Sequence, residues 1–229
     1  MTEQLTIDIY SDVMCPWCLI GHGQLTKALG ELEGEIEAQV RWRPFELNPN
    51  IPVEGEGQEA HLQRKYGRSA EEGAEVRGKM KAIADEAGVS LTYEGDADPV
   101  PPAMVWNTRE CHKLLGFAIE EAGAQVQTAL KLALFRAHFN QRANLSDRDV
   151  LLDIAASVGL HRQAAKTALE DADLEARVEA EERQAWDLNI TGVPAMVING
   201  KFMIPGAQSP ETYVNALRRV AAKSQVVVQ

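Results

Sequence analysis

Cys15-Pro16-Trp17-Cys18 is the stretch whose reading decides the fold. Before it lies Leu5-Thr6-Ile7-Asp8-Ile9-Tyr10, which alternates apolar and polar side chains as a half-buried strand does. After it, Leu19, Leu25, Leu29 and Leu32 recur at helical spacing, so a helix is expected from about Pro16 to near Gly34. The first cysteine therefore stands at a strand-to-helix turn. A helix N-terminus offers unpaired N–H groups and the positive end of the dipole, both of which favour thiolate over thiol. Pro16 suits the first helical turn, where its missing N–H costs nothing. A disulfide across so short a loop would restrain the unfolded chain little. The chain has 3 cysteines, leaving only Cys111 outside the pair, so no disulfide framework is possible. The pair is there for chemistry, redox or metal.

Working outward, Ile36, Val40, Trp42 and Phe45 mark a second strand over about Glu37 to Leu47, and Asn48-Pro49-Asn50-Ile51-Pro52 ends it with turn chemistry. This is a βαβ unit with the dithiol at its first turn. The chain then reads as almost wholly helical. Ser69 and Glu72 form a capping box ahead of Val76, Met80 and Ile83, with Gly88 at the close. Met104, Thr108, Cys111, Leu115, Ala118 and Ala122 form one apolar stripe; Val126, Leu130, Ala133, Leu134 and Ala137 form another. Ser146 is expected to cap a helix closed by Gly159, and a polar helix follows from about Asp173 to Leu188. The tail returns to β signals: Ala195-Met196-Val197-Ile198, an Asn199-Gly200 hairpin turn, then Lys201-Phe202-Met203-Ile204. Ser209 to Ala222 closes as helix. The expected class is α/β, a thioredoxin fold (βαβ…ββα) split by a large all-helical insertion. The thioredoxin-like domain takes 1–48 and 190–229, and the helical cap takes 49–189.

With 229 residues and 45% hydrophobic content the chain is long enough for such an arrangement. A net charge of −11 argues against a nucleic-acid partner, which needs clustered Lys and Arg. No apolar run reaches membrane-spanning length. The first strand begins almost at once, with no basic-then-apolar segment before it, so the expected compartment is the cytoplasm.

Ser11-Asp12-Val13-Met14-Cys15-Pro16-Trp17-Cys18-Leu19-Ile20-Gly21 resembles the active-site signature of FrnE-type members of the DsbA-like oxidoreductases. The resemblance continues in Arg43-Pro44-Phe45-Glu46-Leu47-Asn48-Pro49, in Asn107-Thr108 with Cys111-His112-Lys113-Leu114, and in Leu134-Phe135-Arg136-Ala137-His138-Phe139. It extends to Thr191-Gly192-Val193-Pro194 and Gly206-Ala207-Gln208, and so runs the length of the chain. It implies a thiol–disulfide oxidoreductase or isomerase acting on protein or peptide thiols and disulfides, with Cys15 and Cys18 catalytic. It also implies a cis bond at Val193-Pro194 packed against the dithiol, with the main chain of Val193 pairing with an extended substrate. Ala195-Met196 departs from the bulkier aromatics common there.

Physically, Cys15 at the helix start is the attacking thiolate and Cys18, one turn on, the resolving thiol. Pro16 and Trp17 join Val193 and Pro194 as the substrate wall, Trp17 through its aromatic face. Pro-Trp supplies no titrating group, so a Cys15 pKa below that of a free thiol is expected. It should stay above that of DsbA, with a potential between about −270 and −120 mV. Asp12 reads as a cap or turn residue, Glu46 equally as an exposed strand carboxylate or a buried proton acceptor, and Cys111 as a buried thiol. Cys15, Cys18 and His22 could form one wall of a zinc site, but nothing supplies the rest, so neither metal nor cofactor is expected. Glutathione or a thioredoxin-type reductant is the expected recycling partner, and the chain a monomer or homodimer.

Two other readings compete. One is a glutathione-dependent isomerase or transferase of the kappa or hydroxychromene-carboxylate isomerase type, relatives that typically carry serine at the position of Cys15. The other is a peptide-binding chaperone whose dithiol is a sensor.

Overall fold

The computed structural model describes residues 2–67 and 69–226; Met1, Arg68 and residues 227–229, which include the outer ends of the two thioredoxin-like segments, lie outside the described residues. The chain opens with β1 (Glu3–Ser11), α1 (Pro16–Glu31) and β2 (Ile36–Pro44), and closes with β5 (Ala195–Ile198), β6 (Phe202–Pro205) and α8 (Pro210–Val226). Between them come β3 (Glu56–Gly57), α2 (Gln58–Tyr66), α3 (Ala70–Ala87), β4 (Met104–Val105), α4 (Arg109–Phe139), α5 (Arg148–Ser157), α6 (Arg162–Glu170) and α7 (Ala172–Asp187). The main sheet has the order β2-β1-β5-β6. β1 runs parallel to β2, as a crossover through α1 requires, and antiparallel to β5, with Ile9 opposite Trp42 on one side and Met196 on the other. A βαβ and a ββα unit thus make one sheet, with the insertion leaving after β2 and returning before β5.

The expected all-helical insertion also holds, among the described residues, one antiparallel pair β3–β4, two residues a side, which ties Glu56-Gly57 to Met104-Val105. The Ser69 capping box forms in full, and Gly88 ends α3 in the left-handed region at φ 78°. The two apolar stripes belong to one long element, α4, broken at Gly123, whose φ of 83° and ψ of 179° lie far from helical values. The cap of α5 is Asp147 rather than Ser146, because the Asp147 carboxylate accepts from the N–H groups of Asp149 and Val150. The Ser146 N–H instead donates to the Asn144 side-chain Oδ1 at 2.9 Å. α6 buries Ala165, Ala168 and Leu169 at helical spacing. Three residues, Asn199-Gly200-Lys201, join β5 to β6, since Ile198 pairs with Phe202; Asn199 and Gly200 both take positive φ (51° and 66°), and the Lys201 N–H closes the turn on the Ile198 carbonyl at 3.0 Å.

Two cores result. One lies between sheet and helices and holds Leu5, Ile7, Ile9, Leu25, Leu32, Trp42, Met196, Tyr213 and Leu217. The other fills the insertion with Leu114, Leu130, Leu134, Leu145, Leu151 and Leu160. α4 serves both, since Phe135 and Phe139 pack in the first while Leu130, Leu134 and Ala137 pack in the second. The dithiol loop also divides at this seam. Val13 and Met14 insert into the insertion core, whereas Cys15 and Cys18 belong to the sheet core.

Candidate active site

The site is built where β1 stops. Cys15 is the N-cap of α1 with extended backbone (φ −85°, ψ 109°), and Pro16 follows at the first helical position. One turn on, the Cys18 N–H donates to the Cys15 carbonyl at 3.1 Å, which puts both sulfurs on one side of the helix. Cys15 is 3% exposed and Cys18 fully buried, and neither is in a disulfide. Trp17 is exposed beside them and Pro16 half-buried.

Across from α1 stands the loop ahead of β5. The Val193-Pro194 peptide bond is cis. The Cys15 thiol donates to the Val193 carbonyl at 3.7 Å, and the Pro194 carbonyl accepts from Gly206 N–H at 2.7 Å. This approach depends on Gly21 of α1: a Cβ there would stand 3.1 Å from Pro194 Cγ. The structure thus brings Cys15, Cys18, Val193 and Pro194 together, with Pro16 and Trp17 on the outer rim. Gly21, the last residue of the motif, is thus a positioning residue for Pro194.

The two thiols ionise as a pair. Each sulfur is within hydrogen-bonding reach of the other, so the first proton leaves a thiolate held by the remaining S–H, and the second is harder to remove. In this closed arrangement Cys15 keeps its proton: its hydrogen bond to Cys18 is the main cause that raises it well above the usual thiol value, with burial next. Burial also pushes Cys18 up, but the Cys15 thiol, the Ser11 hydroxyl and the Lys131 ammonium outweigh it, and the net shift is downward. The expectation of a lowered Cys15 is therefore corrected. Cys15 does not use its side chain to cap α1, and its near-complete burial opposes charge. Within the pair, negative charge is favoured on the inner sulfur over the outer one.

Asp12 is fully buried. Its carboxylate accepts from the N–H groups of Leu47 (2.8 Å) and Met14 (3.3 Å), clamping the dithiol loop to the end of β2, while burial raises its pKa. It is a turn residue, but the helix cap is Cys15. His112 comes within 4.0 Å of Asp12 and, driven well down by burial, faces it as a neutral ring. His22 leans on Trp42 at 5.3 Å between ring centroids and is pushed down to about 4 by burial. Cys111 lies in the insertion core, donates to Leu145 O at 3.6 Å, and is raised by burial. Among the described residues no group of three or more His, Cys, Asp or Glu could hold a metal ion.

Glu46 is not on an exposed strand face. It lies just past β2 with its side chain buried, ion-paired to Arg109 at 3.0 Å, and Arg109 also reaches Glu182 at 3.1 Å. Burial, then the Glu182 carboxylate, push Glu46 up to about 7 against the pull of Arg109. The folded state thus holds a proton that an unfolded glutamate releases near 4.5. That contribution to stability is complete below pH 4.5 and is lost as pH rises to 7. Glu46→Gln abolishes this titration. Its melting temperature, set against that of the unaltered protein, should climb steadily from pH 4.5 to 7, by the equivalent of about 1 kcal/mol after solvent screening. A difference that stays constant over that range would refute the assignment.

The comparisons agree with this geometry. The model of the DSBA-like thioredoxin domain matches residues 6–218. The uncharacterized protein YwbO of Bacillus subtilis (strain 168) is 27% identical over 218 residues, which cover 92% of this chain and 94% of that protein. The crystal structure of the probable DsbA oxidoreductase SCO1869 from Streptomyces coelicolor superposes with a TM-score of 0.81 at 29% identity, covering 94% of this chain and 89% of that one. A 2-hydroxychromene-2-carboxylate isomerase shares the fold, with a TM-score of 0.64 at 16% identity over 97% of this chain and 98% of its own. A dithiol at the start of α1, a cis proline facing it and a family match across nearly the whole sequence lead to one assignment. The chain belongs to the family of the DSBA-like thioredoxin domain.

Proposed function

We propose that this protein is a cytoplasmic protein-disulfide oxidoreductase or isomerase of the FrnE type, exchanging disulfides with protein or peptide substrates through Cys15 and Cys18. The observation that carries the reading is the placement of the Cys15 sulfur between Cys18 and the Val193 carbonyl, at the outer end of the pair. A substrate strand laid along Val193 and over Trp17 would bring a sulfur to Cys15. Cys15 passes its proton to the Cys18 thiolate and attacks. A Cys15–substrate disulfide forms, the substrate disulfide breaks, and one substrate thiolate leaves. Cys18 gives that proton to a departing substrate thiolate, attacks the Cys15 sulfur, and releases the second substrate sulfur as thiolate. The substrate gains two electrons and the protein is left as the Cys15–Cys18 disulfide; the same steps reversed oxidise a dithiol. Glutathione or a thioredoxin-type reductant would complete the cycle.

Two intact cysteines favour this over glutathione-dependent isomerisation, which needs no resolving thiol. The test is direct. The protein, equilibrated in glutathione buffers and alkylated, should convert from two modified thiols to none at Cys15 and Cys18. It should also accelerate insulin reduction by dithiothreitol. Failure to form the Cys15–Cys18 disulfide at any glutathione ratio would reject the proposal.

A further inference from the structure

Lys131, in the middle of α4, is fully buried and ranks among the largest such side chains in the protein. Burying an ammonium costs several kcal/mol unless something compensates. Its surroundings show what the charge is directed at. Nζ donates at 3.3 Å to the carbonyl of Ser11, the last residue of β1, where the strand passes into the dithiol loop. On the other sides it lies over the rings of Phe135 (5.0 Å) and Trp42 (5.2 Å), which hold a cation without neutralising it. The titratable groups that face it are Cys18 and Cys15 from α1, Asp12 from the loop after β1, and Cys111 and His112 from α4 itself. An ordinary core lysine would be expected to find a carboxylate at contact distance. This one makes its hydrogen bond, among the described residues, to a main-chain oxygen next to the dithiol.

We propose that Lys131 is a positioning residue for the dithiol: its buried ammonium, brought by the helical insertion against the end of β1, holds negative charge on the reduced Cys15–Cys18 pair and makes the protein a stronger oxidant than the thioredoxin-like segments alone would be. The reduced pair can carry a thiolate and the disulfide cannot, so a fixed cation beside the sulfurs favours the reduced form and raises the potential. Burial pushes the Lys131 ammonium down to about 8, which leaves it largely charged at neutral pH. Linkage makes the effect mutual: the thiolate must hold the proton on Lys131 as firmly as Lys131 holds the charge on sulfur. The insertion then has an electrostatic role as well as a covering one.

This inference rests on the thiol–disulfide reading, and the experiment separates the two. Unaltered protein, Lys131→Met and Lys131→Arg are equilibrated with reduced and oxidised glutathione, glutathione disulfide taking the two electrons of the dithiol. Thiolate absorbance is followed against pH for each. In Lys131→Met the constant for oxidation of the dithiol should rise about tenfold, equivalent to about 30 mV towards a more reducing potential, and the thiolate should appear only at higher pH. Lys131→Arg, which keeps the charge, should stay within about threefold of the unaltered protein. If the unaltered protein exchanges with glutathione but Lys131→Met shows the same constant and titration, the inference is overturned and the oxidoreductase reading stands. If the unaltered protein forms no disulfide, the oxidoreductase reading itself fails and takes the inference with it. Should Lys131→Met not fold, the lysine side-chain resonances of the unaltered protein decide: Lys131 should lose its proton at higher pH in the reduced than in the oxidised form. Equal titration in both forms overturns the inference.

Discussion

Cys15→Ser is expected to lower insulin reduction by about a thousandfold, to the background of dithiothreitol alone, with the fold unchanged. The size follows from the nucleophile. A serine hydroxyl keeps its proton at neutral pH, whereas the thiol pair gives up one proton readily because the other S–H, Ser11 and Lys131 stabilise the charge. The fold should tolerate the change, since Cys15 caps α1 through its backbone and uses no side-chain hydrogen bond to do so. Cys18→Ser should behave differently. Cys15 remains to attack, but no second thiol is there to resolve the product, so each molecule turns over once and stays joined to its substrate through Cys15. Two features of this surface bear on the result: Cys18 is fully buried, and Cys15 stands nearest the Val193 carbonyl. Mixed disulfides on Cys18 in the Cys15→Ser variant would show that the roles are reversed. Full activity in Cys15→Ser would remove the redox reading altogether. A chaperone that only senses redox state should hold unfolded protein even with both cysteines replaced, and that assay distinguishes the remaining alternative.

The parts of this architecture that were legible in the sequence are those fixed by local rules. The strand before Cys15, the helix after it, the Ser69–Glu72 capping box and the Asn199-Gly200 turn each depend on neighbours a few residues away. The two halves of the thioredoxin fold could be matched because their order, βαβ then ββα, is itself a sequence pattern. What local pattern missed was decided by docking. Lys131 sits next to the apolar stripe of Leu130 and Leu134, and a charged residue there reads as solvated. It is buried because α4 carries a second inward face, through Gln127, Lys131 and Phe135, which meets the sheet while the stripe meets the insertion core. A wheel drawn for one buried face cannot reveal a helix with two. For Glu46 the sequence left an exposed strand face and a buried acceptor equally open; its partner Arg109, far away in sequence, meets it only where α4 crosses the end of β2. Gln127 and Lys131, two polar residues four apart and interleaved with Val126, Leu130 and Leu134, were the available signal.

Gln127→Leu is expected to destabilise the protein by about 3 kcal/mol, or roughly 10 °C in melting temperature for a chain of this size, although leucine is the more hydrophobic side chain. The reason lies at the edge of the sheet. β2 is an outer strand, paired to β1 on one side only. At Trp42 its free N–H and C=O face α4, and the Gln127 side chain meets both: Oε1 accepts from Trp42 N–H at 2.8 Å, and Nε2 donates to Trp42 O at 2.9 Å. Nε2 also reaches Leu115 O at 3.2 Å, in the part of α4 before the Gly123 break. One amide thus continues the ladder across the edge and holds the two halves of α4 in their bend. Leucine would leave two or three buried main-chain groups without partners, each costing about 1–3 kcal/mol, and the gain in apolar area cannot offset that. The adjacent Thr128, which accepts from the Trp42 indole N–H at 3.0 Å, provides the comparison. Thr128→Val removes a single, partly exposed bond and should cost about 1 kcal/mol. Denaturant titration of both variants gives the ratio. If Gln127→Leu cost no more than Thr128→Val, the insertion would be held to the sheet by apolar packing alone, and Trp42 would not be the point where the two cores are joined. If the larger cost is found, the same latch also explains how Lys131, one helical turn further along α4, is held over the Trp42 ring at the dithiol.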